Sequence, residues 1–213
     1  MVLDFPAYPG DILAVEAFKR VPQESLYLSE PEAIAVVLGR GTKAEKEINL
    51  HACRDDHVPV LRRRGGGGAV VLAPGMMVIT AVFLPTPPWL AETWLLNLAW
   101  EWVEVLTALG IKQVQVRGYG DVCIGDRKIL GASLYISKEM VLYQASLLVN
   151  CDLNLLPRYL AHPLREPIYR AGRGHLDFVT NLTAAGYQLK WADLVEGLTS
   201  WWAERDYKET LNG

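Results

Sequence analysis

Three consecutive guanidiniums, Arg62-Arg63-Arg64, run directly into four consecutive glycines, Gly65–Gly68, and then into Ala69-Val70. Glycine lets backbone N–H groups approach a ligand with no Cβ in the way, and successive exposed N–H groups form a concave nest for an anion. Arginine adds a planar fork matched to carboxylate and phosphate oxygens. A glycine-rich stretch is ordinarily a flexible surface turn. Here its flanks, His57–Leu61 and Ala69–Leu72, read as short apolar strands. Four glycines there cost roughly 0.5–1 kcal/mol each relative to alanine. A loop that binds an anionic or polar ligand explains that cost; a surface turn does not.

A second unusual segment is Gly125-Asp126-Arg127-Lys128-Ile129-Leu130-Gly131-Ala132-Ser133-Leu134. It reads as a hairpin with Gly125-Asp126 at the turn. Strict alternation along its second strand puts Lys128 on the face of Leu130, Ala132 and Leu134. A lysine on that apolar face is costly unless it meets an anion; the ordinary alternative is an ammonium snorkelling to water beside the turn. Gly131 and Ala132 are poor strand formers, and a strand glycine often marks close approach of a ligand. The two cationic elements are therefore expected to converge on one anionic ligand. Familiar nucleotide and hydrolase motifs are missing: no GxxxxGK[ST], no strand–GxGxxG–helix unit and no GxSxG elbow occur. His51, His57, His162 and His175 read as surface histidines, and Asp126, Glu45 and Glu47 as solvated charges.

The elements that must position these residues follow from periodicity. Helices are expected over Asp11–Arg20, Lys43–Asp55, Trp89–Leu109, Leu153–Leu160 and Leu189–Arg205, the third being the best defined and capped by Gly110. Strands are expected over Ser25–Leu28, Ala33–Leu38, Val58–Leu61, Ala69–Leu72, Met76–Leu84, Ile111–Val116, Asp121–Ile124, Arg127–Ile136 and Val141–Val149. Met76–Leu84 is almost wholly apolar, as for a strand buried on both faces; Pro85-Thr86-Pro87-Pro88 ends it. Pro163–Arg173 reads as irregular. The fold class is α+β, with mixed, largely antiparallel sheets flanked by helices, in one domain over 1–213.

Composition sets the outer bounds. At 213 residues a real core is available, and 51% hydrophobic with 21% charged residues is the balance of a soluble globular protein. A net charge of −3 gives no general affinity for nucleic acid or anionic membranes. Cys53, Cys123 and Cys151, three cysteines with no CxxC pair, point to free thiols and a reducing compartment. Met1–Pro6 lacks the features of a signal peptide, and Trp89–Leu109 carries three glutamates, which argues against a membrane span. A cytoplasmic protein is the expectation, with no metal site recognisable from ligand spacing.

Taken in order, the Arg62–Val70 loop, Gly75, Gly118-Tyr119-Gly120-Asp121 and Gly125–Ser133 resemble the lipoate–protein ligases, a family grouped with octanoyltransferases and biotin–protein ligases. Val36–Arg40, Leu147–Leu153 and Val179–Leu182 are similar to further motifs of that family, so the resemblance runs from about Asp11 to Leu182. It implies a biotin/lipoate ligase-like catalytic domain in which lipoate (or octanoate) and ATP, with Mg2+, give an acyl-adenylate. The acyl group then passes to a lysine of a lipoyl acceptor domain. Lys128 falls on the family's essential lysine. Arg63, Gly66, Gly67, Gly68, Ala69, Gly131 and Ala132 fall on positions that hold the acyl group, and Asp121 and Arg64 on positions beside the adenylate. The chain departs from the pattern at Gly65 (usually serine), at Tyr119-Gly120 (usually Arg-Asn), at Gln144-Ala145 (usually His-Gly) and at Leu72 (usually histidine). It also stops where many ligases continue into an accessory domain, which could be a separate polypeptide or simply absent. Two other functions remain open at this point. One is an acyl-carrier-dependent octanoyltransferase using Cys123 as nucleophile; the other is a lipoyl-binding protein without catalysis.

Overall fold

A computed structural model describes residues 4–87 and 90–212, and the side chains of the last helix as far as Arg205. Helix α1 (Pro9–Arg20) leads into β1 (Ser25–Ser29) and β2 (Ala35–Leu38). Two short helices, α2 (Ala44–Glu47) and α3 (Leu50–Asp55), replace the single helix expected over Lys43–Asp55. The break comes at Ile48-Asn49: Asn49 caps α3 by accepting the Ala52 N–H at 3.1 Å, the role for which a short polar side chain is suited. Strands β3 (Val60–Arg62) and β4 (Val70–Leu72) bracket the glycine loop, and β5 (Met76–Phe83) is buried along its whole length. Helix α4 (Ala91–Ala108) ends at Gly110, whose φ of +86° is the left-handed conformation of a helix stop. Trp89, the expected first residue of that helix, lies outside the described residues, as does Pro88.

The remaining strands are β6 (Val114–Arg117), β7 (Asp121–Ile124), β8 (Arg127–Ile136) and β9 (Val141–Leu148). They are followed by α5 (Leu155–Tyr159), a 3-10 turn at Ile168–Arg170, α6 (His175–Phe178) and α7 (Trp191–Asn212). Six strands form one antiparallel sheet in the order β1-β5-β9-β8-β7-β6. Three more form a second sheet, β3-β2-β4, with β2 parallel to β3 and antiparallel to β4. The mixed, largely antiparallel α+β architecture expected from the sequence is the one observed.

The two faces of the large sheet do different work. One face, with Ile79, Ala81, Phe83, Tyr143, Ala145, Leu147 and Leu130, joins α4 and α7 in the main core around Trp102, Leu106, Leu194 and Leu198. The Trp102 indole N–H donates to the Tyr143 hydroxyl at 2.8 Å, so the polar tip of each buried aromatic is satisfied. The opposite face packs at one end on α1, where Ala14, Val15 and Phe18 meet Val82 and Leu142. Further along, Val78 meets Val37 and Leu72 of the small sheet. The glycine loop belongs to that small sheet, and this second face is where it sits.

Candidate active site

The loop between β3 and β4 is held by its own carbonyls. Gly65 O accepts the Arg40 N–H at 2.9 Å, and Gly67 O accepts the Thr42 hydroxyl at 3.0 Å. The Arg63 guanidinium donates to Gly66 O at 2.7 Å and Gly68 O at 2.9 Å, and also to Val37 O at 3.1 Å. At the two ends the side chains reverse roles: Asp11 accepts the Arg64 N–H, and Glu47 accepts the Ala69 N–H at 3.0 Å. All four glycine carbonyls are thus engaged. Among the described residues, no acceptor meets the N–H of Gly65, Gly67 or Gly68. A loop whose acceptors are consumed and whose donors are unspent can offer its N–H groups to an anion.

The three arginines therefore differ in role. Arg62 donates to the carbonyls of Gly39, Arg40 and Thr42. Arg63, 7% exposed, is a strut inside its own loop, and burial lowers its pKa to about 10. Arg64 is exposed and carries its guanidinium over the Tyr135 ring at 5.8 Å, so it is the member of the run available to a ligand. Glu47, read from sequence as a solvated charge, is instead one of the loop's two end clamps. Asp126 ion-pairs with Arg173 at 3.0 Å, which ties the β7–β8 turn to the 3-10 segment. Gly39 seats the loop from below: a Cβ there would lie 2.0 Å from Gly67 O. Gly39→Ala is expected to destabilise the fold by about 2–3 kcal/mol, read as a lowered unfolding temperature in calorimetry; an unchanged transition would remove this contact from the account.

Lys128 is not on the face that strict alternation predicts. The β7–β8 ladder pairs Val122 with Leu130 but Cys123 with Lys128, so Ile129 is an extra residue in a β-bulge. The bulge puts Ile129 and Leu130 side by side in the helix-side core and turns Lys128 to the other face. There the Lys128 ammonium occupies the space above Gly131: a Cβ on Gly131 would lie 2.6 Å from Nζ. The strand glycine is needed because the lysine lies across it. The Lys128 backbone is fixed from the far side by the Thr180 N–H, which donates to Lys128 O at 2.9 Å. Ala132 stays on the core face, so its side chain packs away from the loop while Gly131 and Ser133 face it.

Asp121 completes this end of the site. Its carboxylate meets the Lys128 ammonium at 2.6 Å and accepts the Tyr169 hydroxyl at 2.7 Å. Burial and the Asp121 charge push the Tyr169 phenol up, which keeps it a donor. Tyr169 comes from the stretch read as irregular; an isolated tyrosine in such a stretch gives no periodic signal. The Cys123 thiol lies 3.7 Å from the same hydroxyl, is wholly buried, and is raised by burial to about 11. The structure thus brings together Lys128, Asp121 and Gly131, and sets Gly65–Ala69 and Arg64 along the same sheet face, with Arg63 beneath the loop. It adds Asp11, Glu47, Thr42 and Tyr169, which the sequence did not mark.

A carbonyl-braced glycine loop, and a lysine bulged out of a six-stranded sheet beside a carboxylate, stand on one face of this α+β fold. The sequence matches the lipoyl protein ligase A/B catalytic domain over residues 13–201, and the chain belongs to that family. Solved structures agree in fold. One is a bi-partite lipoate protein ligase and its E2 lipoyl domain from Thermoplasma acidophilum, 25% identical, with a TM-score of 0.74 over 95% of this chain and 81% of that one. A putative lipoate protein ligase of T. acidophilum with bound lipoic acid is 23% identical, TM-score 0.72, covering 95% and 83%. A lipoate-protein ligase A bound with ATP is 23% identical, TM-score 0.73, covering 96% and 83%.

Proposed function

We propose that the protein is an ATP-dependent lipoate–protein ligase. The observation that carries this reading is the placement of Lys128: the bulge at Ile129 lifts it onto the loop-facing side of the sheet, above Gly131 and beside Asp121. In the first step a carboxylate oxygen of lipoate or octanoate bonds to the α-phosphorus of ATP, and pyrophosphate leaves. Negative charge builds on the α-phosphate oxygens, where the Lys128 ammonium and the unspent loop N–H groups can meet it. In the second step the ε-amine of a lysine on a lipoyl acceptor domain bonds to the acyl carbonyl carbon. AMP leaves, and the amine loses a proton. Mg2+ takes one or two protein carboxylates plus substrate phosphates; Asp121 is the residue that would hold it, and the ion would neutralise phosphate charge.

The relatives described with lipoic acid, with ATP and with an E2 lipoyl domain support these substrates and this acceptor. The bi-partite relative supports a separately encoded accessory domain acting with this chain. Among the described residues no helix is long and apolar enough to cross a membrane; a cytoplasmic site of action belongs to this proposal. The deciding experiment is mass spectrometry of a lipoyl acceptor domain incubated with the protein and lipoate. Mass gain only when ATP is present is the expected result, and mass gain without ATP would overturn the ligase reading.

A thioester-forming octanoyltransferase is the competing chemistry, because Cys123 pairs in register with Lys128. Transthioesterification needs a thiolate, whereas this thiol is buried and shifted to about 11. Cys123→Ala is expected to retain ATP-dependent transfer from free lipoate within a few-fold of wild type. An inactive mutant, together with an octanoyl thioester on Cys123 of the wild type after exposure to octanoyl carrier protein, would decide for the transferase.

A further inference from the structure

Tyr169 reaches the Lys128 end of the sheet from outside it, on the 3-10 turn Ile168–Arg170. Its surroundings fix it there. Arg170, 5% exposed, lies over the Phe178 ring at 4.6 Å, and Arg173 lies over the same ring at 5.4 Å. Arg173 also donates to Tyr169 O at 3.0 Å and to the Asp126 carboxylate at 3.0 Å. The Tyr169 ring stands 5.2 Å from the Phe178 ring between centroids, and passes 3.5 Å from where a Gly118 Cβ would lie. None of these contacts uses the hydroxyl. Packing places the ring, and the phenol oxygen is left for another task.

That oxygen stands between two groups of β7. It accepts the Cys123 S–H at 3.7 Å and donates to Asp121 Oδ2 at 2.7 Å. The other Asp121 oxygen, Oδ1, meets Lys128 Nζ at 2.6 Å. Each carboxylate oxygen thus has its own donor. Arg117, opposite Asp121 in the β6–β7 ladder, makes no ion pair with it, and no second acceptor meets the Lys128 ammonium among the described residues. Without the phenol, Oδ2 would lose its donor on a side chain only 19% exposed. The nearest replacement is the ammonium, which carries three N–H groups and spends one on Oδ1. Attraction between the two charges then turns the carboxylate until both oxygens face the lysine.

We propose that Tyr169 is a positioning residue: its hydroxyl limits Asp121 to a one-oxygen hold on Lys128, which leaves the ammonium free to follow the charge that develops on the substrate. The effect on rate rests on the ligase reading; the effect on geometry does not. A lysine gripped by both oxygens is drawn back from the substrate just when charge builds there. That weakens the transition state more than the bound acid, so the loss falls on the rate and not on ground-state binding. The phenol also holds Asp121 by Oδ2 after the ammonium has moved, so the carboxylate does not follow it.

The test uses Tyr169→Phe, which keeps the ring against Phe178 and removes only the hydroxyl. The variant is expected to lower kcat for pyrophosphate release about tenfold, the scale of one misdirected hydrogen bond to a charged group. Its KM for lipoate should stay within about twofold of wild type. A crystal structure of the same variant without substrates should show Asp121 turned, with both carboxylate oxygens within about 3.5 Å of Lys128 Nζ. Ile168→Ser, at a neighbouring position 99% exposed, controls for disturbance of the turn and should leave kcat within about twofold of wild type. Unchanged kcat in Tyr169→Phe, a rise in KM in place of the loss in kcat, or an unturned Asp121 would each overturn the proposal. So would an equal loss in Ile168→Ser, which would place the effect in the turn as a whole. A turned carboxylate, with a wild type that releases no pyrophosphate, would instead sink the ligase reading and leave the hold on Lys128 standing.

Discussion

Lys128→Ala is expected to lower the rate of acyl-adenylate formation by about 10²–10³, the scale of losing one fixed charge at a developing oxyanion. The fold should survive. The Lys128 side chain is 27% exposed and its partner Asp121 19%, so the ion pair is partly in water and contributes little to stability. Asp121 keeps its hydrogen bond from Tyr169 when the ammonium is gone. The measurement is pyrophosphate release at saturating lipoate and ATP, with an unfolding scan on the same preparation. A variant that works within a few-fold of wild type would strip Lys128 of its catalytic assignment.

Much of the route to Lys128 could be read in the amino acids, and the part that could not has a definite cause. Helix α4 and strand β5 carry long, consistent patterns, and both were found where periodicity puts them. The Gly-rich loop announced itself by composition. The direction of Lys128 did not, because alternation assumes an unbroken ladder, and one extra residue at Ile129 inverts every inference made across it. Consecutive arginines likewise say nothing about which of them face inward. Arg63 is spent on carbonyls because β3 ends at Arg62 and the chain folds back over it. Asp11 and Glu47 reach the loop from 53 and 22 residues away, separations over which no local pattern acts. Gln144 looked like a lost histidine; only the register shows it in line with Thr80 and Ser133.

The second large effect is expected in the loop itself. Gly67 has φ +87°, and a Cβ there would lie 3.1 Å from the Arg63 guanidinium. Valine at this position adds a β-branched residue in the left-handed region, with strain of order 1–3 kcal/mol, and presses on the strut that holds Gly66 O and Gly68 O. Gly67→Val should therefore abolish lipoate binding in calorimetry. Gly66 provides the contrast: its Cβ would meet nothing within 4 Å, and its φ is not positive. Gly66→Ala should unfold within about 1 kcal/mol of wild type, so any binding it loses comes from the methyl group standing where the ligand approaches. If Gly67→Val binds lipoate as tightly as wild type, the loop is not part of the acid's site.

The bulge at Ile129 also sets what the direction of Lys128 depends on. Lys128 and Leu130 face opposite sides of the sheet because the ladder takes up Ile129 as an extra residue. Deleting Ile129 would make the two adjacent, and plain alternation would leave Lys128 on the loop-facing side. Lengthening β7 by one residue between Val122 and Cys123 would instead cancel the two-against-one count and bring Lys128 to the side of Leu130, into the packing of α4. The lysine's side is thus a matter of residue count between two strands, and one inserted residue in the partner strand would reverse it with every side chain still present.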